Sequence, residues 1–518
     1  MNRRMNEPAM KQRPRIRSHL PGRLSALVLA AMVAGCAVGP TYQVPSSAAP
    51  VEWKEQKAAE GWLPAAPADA LDRGEWWKLF GDVTLDELAA RVQVSNQNIA
   101  AAVANYAQAQ ALVRGERAAL FPTVSLDGSG RRSGNAGSTS NATSTFAATL
   151  GVDWAPDVWG RLRQAVSSAQ ANAEASEADL ASARLSAIGD LATNYFSLRE
   201  TDAEIVLLDQ TIEGYQRAFE ITNNRYKAGI AAQTDVLQAQ TQLVSAQAER
   251  VGLQRTRATL EHAIAMLVGV APADFSLPAA QWTPTVPGIP TGVPSTLLQR
   301  RPDIAAGRRR GAGAGRPGGR RVIPTGVPPP LLRPRPDIGA AERAVAAANA
   351  QIGIARSAYF PNFGLSASVG GNASRVKDLF NASNTLWALG LSVAQVVFDA
   401  GAIGASVDSA KAGHEASVAR YRQTVLTAFQ AVEDQLTAGA ALAQQEGLRR
   451  EASAAADKTE QQLLNRYRAG QVSYTEVVTA QAAALNARRT LVQLLVNRQT
   501  AAVALIQALG GGWQAGAT

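Results

Sequence analysis

The sequence predicts a mainly α fold with a small β part, internally duplicated, each copy supplying one long antiparallel α-helical hairpin and one β-hairpin. Three observations predict it. First, "RYKAGIAAQTDVLQAQ" (Arg225–Gln240) recurs without a gap as "RYRAGQVSYTEVVTAQ" (Arg466–Gln481), 241 residues later. Self-similarity at a fixed offset marks two copies of one structural unit. Second, apolar residues from Ile188 to Tyr226 step by three, four or seven, the spacing of a coiled-coil-like seam. Third, two stretches of each copy switch to a period of two, the spacing of strands.

The chain divides as follows. Residues 1–35 read as a targeting segment: Arg15, Arg17 and Arg23 precede the apolar run "LSALVLAAMVA", which is too short to span a bilayer stably. The run closes on "VAGC", a lipobox, so Cys36 is the expected lipidation site and mature N-terminus. The blander reading is an ordinary cysteine behind a generic signal sequence. Cys36 is the only cysteine of the chain, which excludes an internal disulfide. Ala37, in place of an aspartate, favours the outer over the inner membrane. Residues 36–82 form a Pro/Ala-rich N-terminal segment.

The first repeat spans 83–270. Leu85, Leu88, Val92 and Ile99 carry helical spacing, with Asp82 or Thr84 as N-cap, and the helix is expected to run to about Ala119, before Pro122. A β-hairpin follows over 122–155. Val124, Leu126, Gly128 and Gly130 alternate with other residues, then Phe146, Ala148, Leu150, Val152 and Trp154 do so beyond a polar loop. Strands of about 10 residues suffice to cross a bilayer when tilted, although a soluble hairpin is the commoner source of such alternation. From about Val158 a helix runs for nearly 70 residues, roughly 100 Å at 1.5 Å per residue. Gly229 stops it, Thr234 is the expected N-cap of the returning helix, and Asp235 suits the first turn.

Residues 271–338 are a linker. Within it, "IPTGVPSTLLQRRPDI" (Ile289–Ile304) recurs as "IPTGVPPPLLRPRPDI" (Ile323–Ile338), with 12 of 16 positions identical, and 305–338 reads as an anomalous, duplicated Arg/Gly/Pro-rich insert. The second repeat, 339–510, replays the first: a helix to Phe360-Pro361, a β-hairpin over 361–398, a long helix to Gly470 and a returning helix to about Leu509. Residues 511–518 are a tail.

Composition narrows the function. Three dispersed histidines exclude a histidine-based metal site, and no metal or other cofactor is expected. The net charge of +9 misleads: residues 1–35 carry +6 and 305–338 carry +7, which leaves −4 for everything else. A nucleic-acid partner therefore loses its support. There is no nucleophile elbow, HExxH or phosphate-binding glycine loop, so the chain does not read as an enzyme.

The motifs "CAVGPTYQVP", "WWKLFGD", "WAPDVWGRLR", "RRPDI", "AERAVAAANAQIGIARSAYFP", "VVFDAGA" and "ALGGGW", taken with the repeated "RY-x-AG" turns, resemble the TolC-like outer-membrane factors, in the OprM/NodT-like efflux-associated lipoprotein branch. The resemblance covers about residues 24–304 and 339–513. It implies a homotrimer, with a trimeric α-barrel below a 12-stranded β-barrel; four strands cannot close a barrel alone, and open edges cannot persist in lipid. It implies an exit duct, lipid-anchored in and spanning the outer membrane and reaching into the periplasm. Its partners would be outer-membrane lipid, a periplasmic adaptor (membrane fusion protein) and an inner-membrane pump of the RND type. A passive porin-like channel and a periplasmic coiled-coil adaptor are the alternatives, but porins are mostly strand and adaptors lack membrane-length β-hairpins.

The resemblance places the periplasmic tip at the two turns. Arg225, Tyr226, Gly229, Thr234, Arg466, Tyr467 and Gly470 match the tip turns where an adaptor docks. Asp235, Thr475, Glu476 and Thr479 match the gate region. Three copies of Glu476 around one axis would raise one another's pKa and favour cations, although helix-dipole stabilisation explains an acid there equally well. Thr479 stands where the family often has a second acid. Pro122 and Pro361 fit helix–strand junctions, and Trp154 and Trp387 fit either a membrane interface or a buried belt.

Overall fold

The computed structural model describes residues 38–46, 75–134, 142–287 and 335–511. Seven α-helices and four strands lie among them: α1 (Val83–Ser95), α2 (Gln97–Ala118), β1 (Thr123–Ser133), β2 (Thr143–Trp154), α3 (Arg161–Lys227), α4 (Gln233–Val268), α5 (Pro336–Ser357), β3 (Asn362–Ala373), β4 (Thr385–Ala394), α6 (Ala402–Arg468) and α7 (Tyr474–Ala508). From the helix before each β-hairpin onward the element order of the two repeats is the same, and α3 and α6 are each 67 residues long. Cys36 and the signal segment, most of the 305–338 insert and the end of the tail lie outside the described residues. The last linker residues do not: α5 begins at Pro336, with Arg335 donating to the Asp337 carboxylate at 2.8 and 2.9 Å and to the Ala508 carbonyl at 2.9 Å. Residues 336–338 thus belong to the helix that was expected to start after them.

The chain forms two compact units, each built from both repeats. One contains the four-stranded antiparallel sheet, ordered β1-β2-β3-β4. Its register decides its character. Leu126 lies opposite Leu150, Leu150 opposite Val369, and Val369 opposite Trp387. Val124, Val152, Ala367 and Leu389 form the neighbouring row, and Trp154, Leu365 and Leu391 the next. Because side chains alternate faces with a period of two, every apolar series of the sequence falls on one face. The other face carries Ser125, Asp127, Thr149, Gly151, Ser366 and Ser368. The apolar face is bare: Leu126, Trp387 and Leu389 are each about three-quarters exposed. Trp387 lies near the loop end of that face and Trp154 at its helix end, where the Trp154 Nε1 donates to the Leu120 carbonyl at 3.0 Å.

In this unit Asp157 and Asp399 begin the long helices. Asp157 accepts from the Leu162 and Arg163 amides at 3.0 and 2.9 Å, and Asp399 from the Gly401 and Ile403 amides at 2.9 and 2.6 Å. Those amide bonds hold the Asp399 carboxyl below its ordinary pKa. The N-terminal segment crosses α5 closely. A Cβ at Gly39 would stand 2.8 Å from Gln164 and 3.1 Å from the Gly353 Cα, so only glycine lets the two backbones meet. Asn349 fixes the crossing by donating to the Pro40 carbonyl at 3.0 Å.

The second unit holds the larger core. Trp76, Trp77 and Phe80, in a 3₁₀ turn, pack with Phe196 and Tyr195 of α3. The Tyr195 hydroxyl donates to Asp82 at 2.7 Å, while Asp82 also caps α1 by accepting from the Leu85 amide. Burial is the main reason the Tyr195 hydroxyl is pushed up to about 12. The seam of α3 is buried at Ile188, Leu191, Tyr195, Leu198, Leu208 and Tyr215, but it ends before Tyr226, which is exposed. A buried ion cluster ties the start of the linker to α3 and α4. Asp202 bridges Arg199 (3.1 Å) and Arg257 (2.7 Å), and the two arginines donate to the Pro278 and Leu277 carbonyls. Sequence periodicity gave no sign of it, because the residues come from three segments.

The single helix expected from Asp82 to Ala119 is two helices. Asn96 breaks it: its side chain accepts from the Asn98 and Ile99 amides, capping α2, and donates to the Leu267 carbonyl at 2.8 Å. Asn96 is 3% exposed. Replacing Asn96 by Ala removes a cap and strands a buried carbonyl, so N96A should lose about 1–3 kcal/mol of stability in denaturant unfolding. An unchanged midpoint would show that α1 and α2 join without that side chain.

Candidate functional site

The repeated turns close with the same backbone geometry. Gly229 and Gly470 take φ of 75° and 73°. The Gly229 amide donates to the Tyr226 carbonyl at 2.9 Å and the Ile230 amide to Arg225 at 2.8 Å; the Gly470 and Gln471 amides repeat this onto Tyr467 and Arg466 at 2.9 Å each. This double bond with a left-handed residue is the Schellman stop, and glycine occupies it at least cost.

Beyond the glycines the copies diverge. The N-cap of α4 is Ala232, which has no capping side chain, not Thr234, which lies inside the first turn. The equivalent residue before α7 is Ser473, and there a full capping box forms: Glu476 accepts from the Ser473 amide at 3.1 Å while the serine side chain meets the helix in return. The sequence carries this signal as Ser-x-x-Glu, from Ser473 to Glu476, where the first copy has Ala232 and Asp235. Glu476 is exposed and already engaged as a cap. Thr475 lies 3.4 Å from the Gln238 side chain, and Thr479 donates back to the Thr475 carbonyl at 2.9 Å. Asp235 is half-buried in the first turn of α4.

The two Arg-Tyr pairs also part company. Tyr467 is 4% exposed, while its counterpart Tyr226 is 42% exposed. Tyr467 packs on Tyr474, with ring centroids 5.3 Å apart, in a core with Ala218, Ala239 and Val477. Its hydroxyl lies 3.2 Å from Thr222 Oγ1. Arg225 of the first hairpin lies over the Tyr467 ring at 4.8 Å and donates to the Tyr467 carbonyl at 3.0 Å. Arg466 has no ion-pair partner among the described residues, and Arg225 binds a carbonyl and a ring instead of a carboxylate. Arginine–carboxylate pairs between helices form elsewhere: Arg489 with Glu204 and Glu249, and Arg488 with Asp457 and Glu460. Tyr474 is fully buried with no hydrogen-bond partner for its hydroxyl among the described residues, and burial pushes that hydroxyl up to about 12. The arrangement locks the two hairpin ends of one chain together and leaves Gly229, Thr234, Arg466, Gly470, Thr475, Glu476 and Thr479 on the surface.

Paired long helical hairpins, joined in one chain to strands with a bare apolar face, are the architecture of a channel-forming membrane protein. The chain belongs to the outer membrane efflux protein family, whose model matches residues 88–270 and 327–511. It is 30% identical over 499 residues to the probable efflux pump outer membrane protein TtgC of Pseudomonas putida, covering 95% of each chain. It is 28% identical over 499 residues to the cation efflux system protein CusC of Escherichia coli K12, covering 95% of this chain and 100% of that one. Among solved structures it is similar to the outer-membrane channel OprN (TM-score 0.78, 27% identity, 92% of this chain and all of that one). It is also similar to the open-state MtrE outer membrane channel of Neisseria gonorrhoeae (TM-score 0.75, 25% identity, 92% and 98% covered). The protein is thus an outer-membrane efflux channel of the TolC-like type, and not an enzyme.

The contact between Arg225 and Tyr467 should be measurable. In a double-mutant cycle of R225A and Y467L, thermal unfolding should give a coupling of about 0.5–2 kcal/mol. Strictly additive losses would mean that the ring contact contributes nothing.

Proposed function

We propose that the chain acts as a lipid-anchored homotrimeric exit duct, which receives small toxic solutes from an inner-membrane pump through a periplasmic adaptor. The observation that carries this reading is the sheet register. Four strands present a single apolar face and leave β1 and β4 as open edges. Open edges are not tolerated in hydrocarbon, and three copies supply about 12 strands, an even number within the bacterial barrel range. The relatives' names span antibiotics, toluene, pyoverdine and cations, which favours a duct that does not choose its cargo. The pump is taken as the RND type by the same resemblance, and Cys36 as the acylated residue. Asp235, Glu476, Thr475 and Thr479 would edge the narrow end of the duct, with the exposed tip turns as the adaptor's landing site.

The test is direct. Outer membranes should yield a heat-modifiable trimer, and a deletion strain should become more sensitive to pump substrates. A soluble periplasmic monomer, or unchanged sensitivity to every substrate, would overturn the reading. The gate is tested by two variants of one residue. Glu476→Gln keeps the capping acceptor but removes the charge, whereas Glu476→Ala removes both. Both should raise single-channel conductance; a rise in E476A alone would assign the effect to the lost cap.

A further inference from the structure

At the helix end of the sheet lies an open cleft of about 460 Å³ that the duct reading does not use. Arg356, Tyr359 and Phe360 line it from the end of α5, Asp408 and Lys411 from the early turns of α6, and Val38 from the N-terminal segment. Its place is set by the chain: Phe360 is followed by Pro361, and β3 begins at Asn362. Trp159 forms its support, stacking on Phe360 at 4.8 Å and donating to the Pro361 carbonyl at 2.7 Å. The cleft therefore stands where the strands leave the hydrocarbon layer, at the depth of headgroups.

Its chemistry is amphiphilic. Lys411 donates to Asp408 at 2.9 Å, and both side chains are well exposed, so that pair is weak and neutral in sum. The Arg356 guanidinium is half-buried and has no side-chain partner among the described residues. The lining thus carries one uncompensated positive charge beside the apolar surfaces of Val38 and Phe360 and the ring of Tyr359. A guanidinium matches a phosphate in a forked, charge-assisted geometry, and basic pockets beside a bilayer take lipid headgroups. We propose that this cleft holds the phosphodiester headgroup of one glycerophospholipid from the periplasm-facing leaflet. The apolar wall would take the glycerol and the first methylenes. The proposal rests on the sheet being the bilayer-spanning part of the duct.

The test uses the delipidated full-length assembly in a phosphate-free detergent, followed by native mass spectrometry. Dioctanoyl phosphatidylglycerol should bind saturably, one per chain, while dioctanoylglycerol and inorganic phosphate should bind far more weakly. Arg356→Gln should weaken phosphatidylglycerol binding about tenfold, the loss expected for one charge-assisted contact. Lys411→Gln should weaken it less, because Lys411 is already paired, and Lys377→Gln, in the hairpin loop, should leave it unchanged. If R356Q fails to assemble, R356K and the headgroup series on the unaltered protein decide the matter. Equal binding of inorganic phosphate would make this a free-anion site, and equal binding by R356Q would remove the site altogether. Absence of lipid binding with normal planar-bilayer conductance would overturn the cleft alone; absence of conductance would count against the duct reading.

Discussion

Backbone hydrogen bonding in hydrocarbon is the constraint on which the rest of this structure depends. An amide left unpaired in lipid costs several kcal/mol, so a spanning sheet must close. One chain brings four strands in an unbroken ladder but leaves an edge at each side. Several contacts of the same unit serve that sheet. Asp157 and Asp399 start the long helices immediately after the hairpins, Trp154 ties β2 to the end of α2, and the glycine crossing at Gly39 lays the N-terminal segment along α5. The chain commits little sequence to the membrane and most of it to helix, because the helices need only packing partners while the strands need a whole ring.

The duplication supplies two helical hairpins of nearly equal length, but packing within one chain makes their surroundings unequal. When Arg225 covers Tyr467, the reciprocal contact of Arg466 with Tyr226 is not made, and Tyr226 remains outside. Two copies of a sequence that pack side by side need not occupy equivalent environments. The second copy's Tyr-Tyr pair and capping box are the specialisations that follow.

Much of the fold was legible because it rests on period and punctuation. The two long helices, the two β-hairpins, both stopping glycines and both junction prolines follow from hydrophobic spacing and from residues with restricted backbone freedom. What escaped was long-range. Nothing in the run around Asn96 announces that its amide meets Leu267, and a helix-period pattern continues across it. Arg199, Asp202 and Arg257 are ordinary polar positions of helices until tertiary packing brings them to Leu277 and Pro278. At the repeated turns the sequence announced both stopping glycines, but it could not separate Tyr226 from Tyr467, whose flanking residues are nearly the same.

The missing cap at Ala232 has a mechanical consequence. A helix whose first amides lack a side-chain acceptor frays more readily than one closed by a reciprocal serine–glutamate pair. The first turn of α4 is accordingly the softer of the two, and α7 the stiffer. Amide exchange would find protection starting later in α4 than in α7. Within one chain an axial load would therefore be taken up first at the Gly229 turn, although the two hairpins repeat one sequence.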